Sequence, residues 1–272
     1  MMKVIAFIPC RNEAANLSKV LDQLVNQTLP YSDIIVINDA STDQTKSIAK
    51  SYDVILFDLT DQHESYLGKP ELAKIFNYAF DIIQDYDLPC DYIMQLGGDT
   101  LIPLNYNEEI VKRMGLNNKI VIAGGVVEGE LQYETHVRGN GRYYQAEFWF
   151  NHVERYPLNF TWESYPLYLA RALGFEIKNY PELIMQPLRP TNFFKGQYGH
   201  AMRELGYFPP YALGRCLLSF LLNQREGMSM LINYLRSPYS RADPLISGFI
   251  RHHQIQRIMH PKESLNIWTS RL

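Results

Sequence analysis

Apolar positions in the amino-terminal part of the chain follow two alternating spacings. Residues 3–9 read Lys-Val-Ile-Ala-Phe-Ile-Pro, an almost unbroken apolar run rich in branched side chains, which predicts a strand buried on both faces. Beyond Glu13, the residues Leu17, Val20, Leu21, Leu24 and Val25 recur every three or four positions, the stripe of an amphipathic helix, with Asn12 as its expected N-cap. A second strand is predicted over 34–37, ended by Asn38-Asp39. Ser41 followed by Gln44 has capping-box spacing for a helix reaching residue 50. A strand over 54–57, a polar stretch over 60–70, a helix over 71–84, a strand over 92–96, a helix over 107–114 and a strand over 120–123 follow. Strand and helix alternating through short loops predict an α/β fold, a Rossmann-like, mostly parallel sheet flanked by helices.

Ligands of such sheets bind beyond the carboxyl ends of the strands. Three predicted strand ends deliver Glu13, Asp39 and Asp99 to one rim. Carboxylates gathered there repel one another unless a cation or a donor-rich ligand sits among them. For any single loop, helix capping or a solvated turn explains the same residues; three in this order point to a site.

Composition narrows the picture. With 272 residues, 46% of them hydrophobic, the chain can bury a sizeable core. A net charge of -3 argues against a coat for nucleic acid, and no nucleic-acid partner is expected. The charge is unevenly spread: residues 191–272 hold ten Lys or Arg against four Asp or Glu, which leaves sixteen against twenty-five for residues 1–190. Cys10, Cys90 and Cys216 lie far apart and form no CxxC, so a reducing compartment is expected and no zinc site. The apolar start is too short for a leader and reads as the first strand, and no run is long enough to span a membrane.

The motifs resemble those of inverting family 2 glycosyltransferases with the GT-A fold. The resemblance rests on Ile8-Pro9-Cys10-Arg11-Asn12-Glu13, on Val36-Ile37-Asn38-Asp39-Ala40-Ser41-Thr42-Asp43, on Asn77 with Ala79, and on Gly98-Asp99-Thr100. It covers residues 3–127 closely and 128–188 loosely. It implies a nucleotide-diphosphate sugar as donor, with Pro9, Arg11, Glu13, Asp39 and Ser41 around the nucleotide. Asp99 is then the acid that binds a divalent cation, Mg2+ or Mn2+, which offsets the charge on the leaving diphosphate. Here Gly97 and Gly98 precede Asp99, where the family pattern is aspartate-x-aspartate, so one carboxylate stands where two are usual. Lys69, after Gly68, is a candidate for the diphosphate or a solvated loop lysine.

Inversion also needs a base beside the acceptor hydroxyl. The family places an acid at the start of a helix that ends in a glycine and an aromatic residue. Glu163, ahead of 167–173 and Gly174-Phe175, takes that place, with Trp162 where the family usually has a further acid. The other reading of Glu163 is an acid in a first helical turn, favoured by the helix dipole. Trp162 is either a sugar-stacking ring or a core residue.

The motif content changes after residue 190. The chain is therefore expected to divide into a GT-A domain over 1–190 and a basic, mostly helical extension over 191–272. Leu213, Leu217, Leu218, Phe220, Leu221 and Leu222, edged by Arg215 and Arg225, form a dense apolar patch; Met228, Met230, Leu231, Ile232 and Leu235 form a second. Two readings stay open, helices packed on protein or helices lying on a membrane, and a lipid-linked acceptor would fit the latter; the acceptor is expected to be a glycan or a lipid-linked molecule. Lys195, His200 and Arg203 share a helical face and are candidates to support the diphosphate or the cation. The expected location is cytoplasmic, peripheral at the membrane face. The rivals are a nucleotidyltransferase, disfavoured because residues 9–13 contain no glycine, and a sugar-nucleotide-binding or partner-binding protein without chemistry.

Overall fold

In the computed structural model, which describes residues 2–61, 63–130, 136–189, 197–237 and 242–260, the apolar runs form the centre of an eight-stranded sheet. β1 (Val4–Cys10) lies between β2 (Asp33–Asp39) and β4 (Tyr92–Gln95), parallel to both, and β3 (Ile55–Leu59) extends the sheet beyond β2. On the other side the order runs β4, β7 (Arg142–Gln145), β6 (Ile120–Val127), β8 (Glu176–Pro187) and β5 (Thr100–Leu101). β7 is antiparallel to both neighbours, as is β5 to β8, so the expected sheet is mostly rather than wholly parallel.

Side chains of a strand alternate between faces, and β1 shows what that does. Ile5 and Phe7 enter one core with Ile35, Ile37 and Ile93, against Ala73, Ala79, Phe80 and Ile83 of α3 (Leu72–Asp85) and Leu167 and Ala170 of α6 (Tyr165–Ala172). Val4, Ala6 and Ile8 enter the other, against Leu17, Val20, Leu21 and Leu24 of α1 (Leu17–Val25) and Ile110 and Met114 of α4 (Tyr106–Leu116). Trp149, in the turn of π-helix that continues α5 (Ala146–Phe148), stacks on Phe80 at 3.5 Å.

Two expected caps are corrected. α1 begins at Leu17, and Asn12 sits ahead of it at φ 55, where it caps nothing. α2 (Thr45–Ala49) is shorter than its pattern and starts after Ser41; Asp43 instead accepts from the amide and hydroxyl of Thr45. In both cases the polar side chain serves a loop-to-loop bond rather than its own helix.

Four helices complete the fold: α7 (Tyr198–Glu204), α8 (Pro209–Leu222), α9 (Gln224–Arg236) and α10 (Pro244–Met259). Met202, Ala212, Cys216, Met230 and Tyr234 give them a small core of their own, while Ile246 and Ile250 of α10 join the first core. Asn223 caps α9 and Asp243 caps α10.

Candidate active site

Register aligns the strand ends. Pro9 pairs with Ile37 and Cys10 with Asn38, while Asn38 pairs with Asp58, so the loops after β1, β2 and β3 emerge side by side. They are stitched by short polar side chains. The Asn12 amide donates to the Ser41 hydroxyl at 2.9 Å, the Thr42 amide to Asn12 Oδ1 at 2.8 Å, and the Ala14 amide to Asp43 Oδ2 at 3.0 Å. These bonds, together with the Ala40 amide on the Leu59 carbonyl at 2.9 Å, accompany positive φ at Asn12 and Ala40, a conformation that non-glycine residues adopt only when over-determined by their surroundings. Asp39, almost wholly buried, pairs with Arg11 at 3.6 Å and with His63 Nε2 at 2.8 Å; the His63 ring stacks on Tyr66. His63 lies in the stretch read only as polar. Lys69 pairs with Glu64, the residue beside His63, at 3.1 Å.

Glu13 and Asp99 share a partner that the sequence did not reveal. The last residues of β8 pair with β5, and the Leu188 amide donates to the Asp99 carbonyl, which carries Arg189 to the rim. Its Nε donates to Asp99 Oδ2 at 2.5 Å and its Nη2 to Glu13 Oε1. Burial raises the Glu13 carboxyl above its usual range, against the Asn16 hydrogen bond and the Arg189 charge. The mutual repulsion expected of these acids is thus relieved by a guanidinium.

The two glycines before Asp99 also find a reason. A Cβ on Gly97 would stand 2.7 Å from Asn140 Oδ1 and 2.9 Å from Asp99 Oδ1, so Asn140 fills the space a first aspartate would need. Its Oδ1 accepts from the Gly97 amide at 2.9 Å and its Nδ2 donates to Thr100 at 3.1 Å.

The residues fit a divalent cation in kind. Asp99 and Glu13 offer the hard oxygens that Mg2+ and Mn2+ take, at a point that already attracts positive charge. Among the described residues no three His, Cys, Asp or Glu side chains gather, so ligand oxygens would have to complete the shell. Arg189 competes for that place. A partly exposed ion pair worth about 1 kcal/mol keeps the carboxylates engaged most of the time. Arg189→Ala should therefore strengthen Mn2+ binding about fivefold in nucleotide-free protein, read by electron paramagnetic resonance of free Mn2+. Equal affinity in the two proteins would put the cation elsewhere.

Asn140 belongs to a turn that also holds Glu163. The adjacent Gly139 amide donates to Glu163 Oε1 at 2.9 Å, and a Cβ on Gly139 would lie 2.6 Å from that oxygen. One turn therefore positions Asp99 on one side and Glu163 on the other. Beneath it lies Arg142, fully buried, which donates to the carbonyls of Val137 at 2.5 Å, Arg138 at 3.2 Å and Glu163 at 2.7 Å, and to the Tyr144 hydroxyl at 3.0 Å. Tyr144 meets Tyr156, Tyr156 donates to Gln95, and Gln95 donates to the Gly139 carbonyl at 2.7 Å, closing a ring. Burial opposes the charge on Arg142, but the oxygens of Tyr144 and Tyr156 and the Glu163 carboxylate outweigh it and keep the guanidinium protonated. Asn77 holds the Tyr156 backbone through both its amide and its carbonyl. Trp162, half-buried, packs on Phe76 and Tyr156 at the border of the first core. The Glu163 side chain remains 42% exposed, so a ligand can reach it.

Of the remaining candidates, His200 and Arg203 make their described contacts with the helical part and with Phe160. His200 stacks on Phe160 and meets the Ser237 hydroxyl at 3.0 Å, and Arg203 lies over the Tyr234 ring. Lys195 lies outside the described residues. Burial pushes the Glu204 carboxyl up to about 7, beside the backbone of Phe160 and Thr161, and with His200 stacked on Phe160 this sets α7 against the segment that leads into Glu163.

A mixed sheet with its acids at the strand ends and a polar turn beneath them defines a class of fold. The structure is similar to that of a mannosyltransferase from Pyrobaculum calidifontis in complex with GDP-Man and Mn2+ (TM-score 0.58, 15% identity, covering 94% of this chain and 69% of that one). It is also similar to TarS of S. aureus in complex with UDP-GlcNAc (TM-score 0.57, 14% identity, covering 95% of this chain and 75% of that one). The fold is therefore the GT-A type of glycosyltransferases. The chain belongs to glycosyl transferase family 2, whose model matches residues 5–173. A 4,4'-diaponeurosporenoate glycosyltransferase of Staphylococcus aureus is 41% identical over 63 residues, a match that spans 23% of this chain and 16% of that protein.

Proposed function

We propose that the protein is an inverting glycosyltransferase that uses a nucleotide-diphosphate sugar and a divalent cation. The observation that supports this most is the Gly139-Asn140 turn, which bonds at once to the Asp99 loop and to Glu163. A metal-side acid and an exposed carboxylate are thereby held by one rigid piece, as a reaction between two bound partners requires.

In this reading the stitched loops receive the donor. Pro9, Arg11, Glu13, Asp39 and Ser41 surround the nucleotide, Asp39 meeting the base, and Lys69 steadies the diphosphate. Asp99 would hold the cation, which supplies charge compensation to the departing nucleoside diphosphate. Glu163 takes the proton of the acceptor hydroxyl as its oxygen attacks the anomeric carbon from the face opposite the leaving group. The Gly139 amide and Arg142 fix Glu163 in place for that transfer. Residues 1–190 then bind the donor and hold the base, residues 191–272 shape the acceptor side, and Lys195, His200 and Arg203 are the proposed support from that part for the diphosphate or the cation. The solved neighbours hold GDP-Man with Mn2+ and UDP-GlcNAc, which supports a nucleotide sugar and a divalent cation here. The name of the diaponeurosporenoate relative supports a lipid-soluble acceptor, and with it a cytoplasmic protein peripheral to the membrane.

Calorimetric titration of UDP and of GDP, with and without Mn2+, tests the donor half. One of the two nucleotides should bind, and more weakly without metal. Asp99→Asn should weaken metal-supported binding about tenfold or more, since it removes the charged ligand. Failure of both nucleotides to bind under any condition would overturn the reading.

A further inference from the structure

The helical part leaves an apolar surface uncovered. α8 turns Ala212 and Cys216 inward, while Leu213 (48% exposed), Leu217 (61%), Leu218 (60%), Leu221 (73%) and Leu222 (82%) face outward. At the helical turn angle these five leucines sweep about half the circumference, and no charged residue falls within the arc. Arg215 stands at its edge. On α9, packed against α8, the exposed Met228, Ile232 and Leu235 recur at helical spacing, flanked by Arg225 and Arg236. Monomeric proteins in water rarely display a contiguous apolar patch of this kind without a use for it.

Charge decides the occupant. α8 and α9 carry Arg215, Arg225 and Arg236 against the single acid Glu226, and residues 191–272 hold ten basic against four acidic residues, while the rest of the chain is acidic. An apolar stripe rimmed by arginines matches the boundary between acyl chains and anionic headgroups. α8, with 14 residues, is about 21 Å long, short of the hydrocarbon thickness, and no helix of the described residues is long and apolar enough to cross a membrane.

We propose that the outward face of α8, continued by the apolar stripe of α9, is a docking surface that lies in the plane of an anionic lipid bilayer. The leucines enter the acyl boundary and the arginines meet lipid phosphates. The surface stands on these helices alone; its service to a lipid-linked acceptor rests on the transferase reading above.

Co-sedimentation with vesicles tests it, on the full chain. Wild type should pellet with vesicles of phosphatidylcholine and phosphatidylglycerol in equal parts, and far less with phosphatidylcholine alone. Leu217→Glu/Leu221→Glu should reduce partitioning to the anionic vesicles by about tenfold or more. Arg215→Ala/Arg225→Ala should lower it about tenfold on anionic vesicles only. Because both leucines are exposed, the first variant should keep the wild-type melting temperature and nucleotide titration, which separates lost docking from a lost fold or a wrong transferase reading. Wild type that stays in the supernatant, or a leucine variant that pellets as wild type does, would overturn the proposal. So would sedimentation equilibrium in which wild type is a dimer and the leucine variant a monomer, since a second copy would then own the face.

Discussion

Glu163→Gln should lower the rate of sugar transfer by about 10²–10⁴-fold, the usual contribution of a positioned general base. The substitution keeps size and shape, and a carboxamide oxygen still accepts from the Gly139 amide, so the turn survives. Nucleotide affinity should stay within about twofold of wild type, because the lost proton acceptor acts in the transition state and not on the bound donor. Single-turnover transfer measured beside nucleotide titration separates the two effects. Transfer at near wild-type rate would remove Glu163 from the reaction and leave it as the acceptor that holds the Gly139 amide, ahead of α6.

The second large effect is on stability. Arg142→Leu should cost about 3–5 kcal/mol, because it takes one partner from a buried polar cluster. The carbonyls of Val137, Arg138 and Glu163 and the hydroxyl of Tyr144 lose their donor together, in a place from which water is excluded. Leucine fills part of the volume and offers nothing to those oxygens. Thermal unfolding should shift down by about 10 °C, and urea unfolding should report the same loss. Arg142→Lys should fall between the two, since one ammonium cannot span three carbonyls and a hydroxyl. A variant as stable as wild type would mean that the ring through Tyr144, Tyr156 and Gln95 is satisfied without the guanidinium.

Much of the fold was legible because its signals are local. The run from Val4 to Ile8 is apolar on both strand faces, and the structure puts its alternate residues into two different cores. The stripe of Leu17, Val20, Leu21 and Leu24 is buried as a face should be. β7 was not legible, since Arg142-Tyr143-Tyr144 reads as polar and aromatic rather than as a buried strand; only Gln95, Tyr156 and Glu163, far apart in sequence, make its arginine a core residue.

The caps failed for a related reason. Asn12 and Ser41 are residues that bond to nearby backbone, and sequence spacing assigns them to their own helices. In the folded chain the nearest backbone belongs to the neighbouring loop, about thirty positions away, and they bond to that. Position 97 is similar: a missing aspartate in the sequence is an Asn140 side chain in space.

By itself the sequence determined the alternation of strand and helix, the strand ends that carry Glu13, Asp39 and Asp99, the helix behind Glu163, and the apolar, basic helices at the end. Each is a property of residues within a few turns or strand spacings of one another. Tertiary structure alone decided that Arg189 bridges Glu13 and Asp99, that His63 joins Arg11 on Asp39, that Arg142 lies buried under the Gly139-Asn140 turn, and that the leucines of α8 face outward. Those are pairings across up to 176 positions of chain. No local spacing encodes them, because which charge meets which is settled only when the register of β8 on β5 and β6 has been fixed by the packing of the whole sheet.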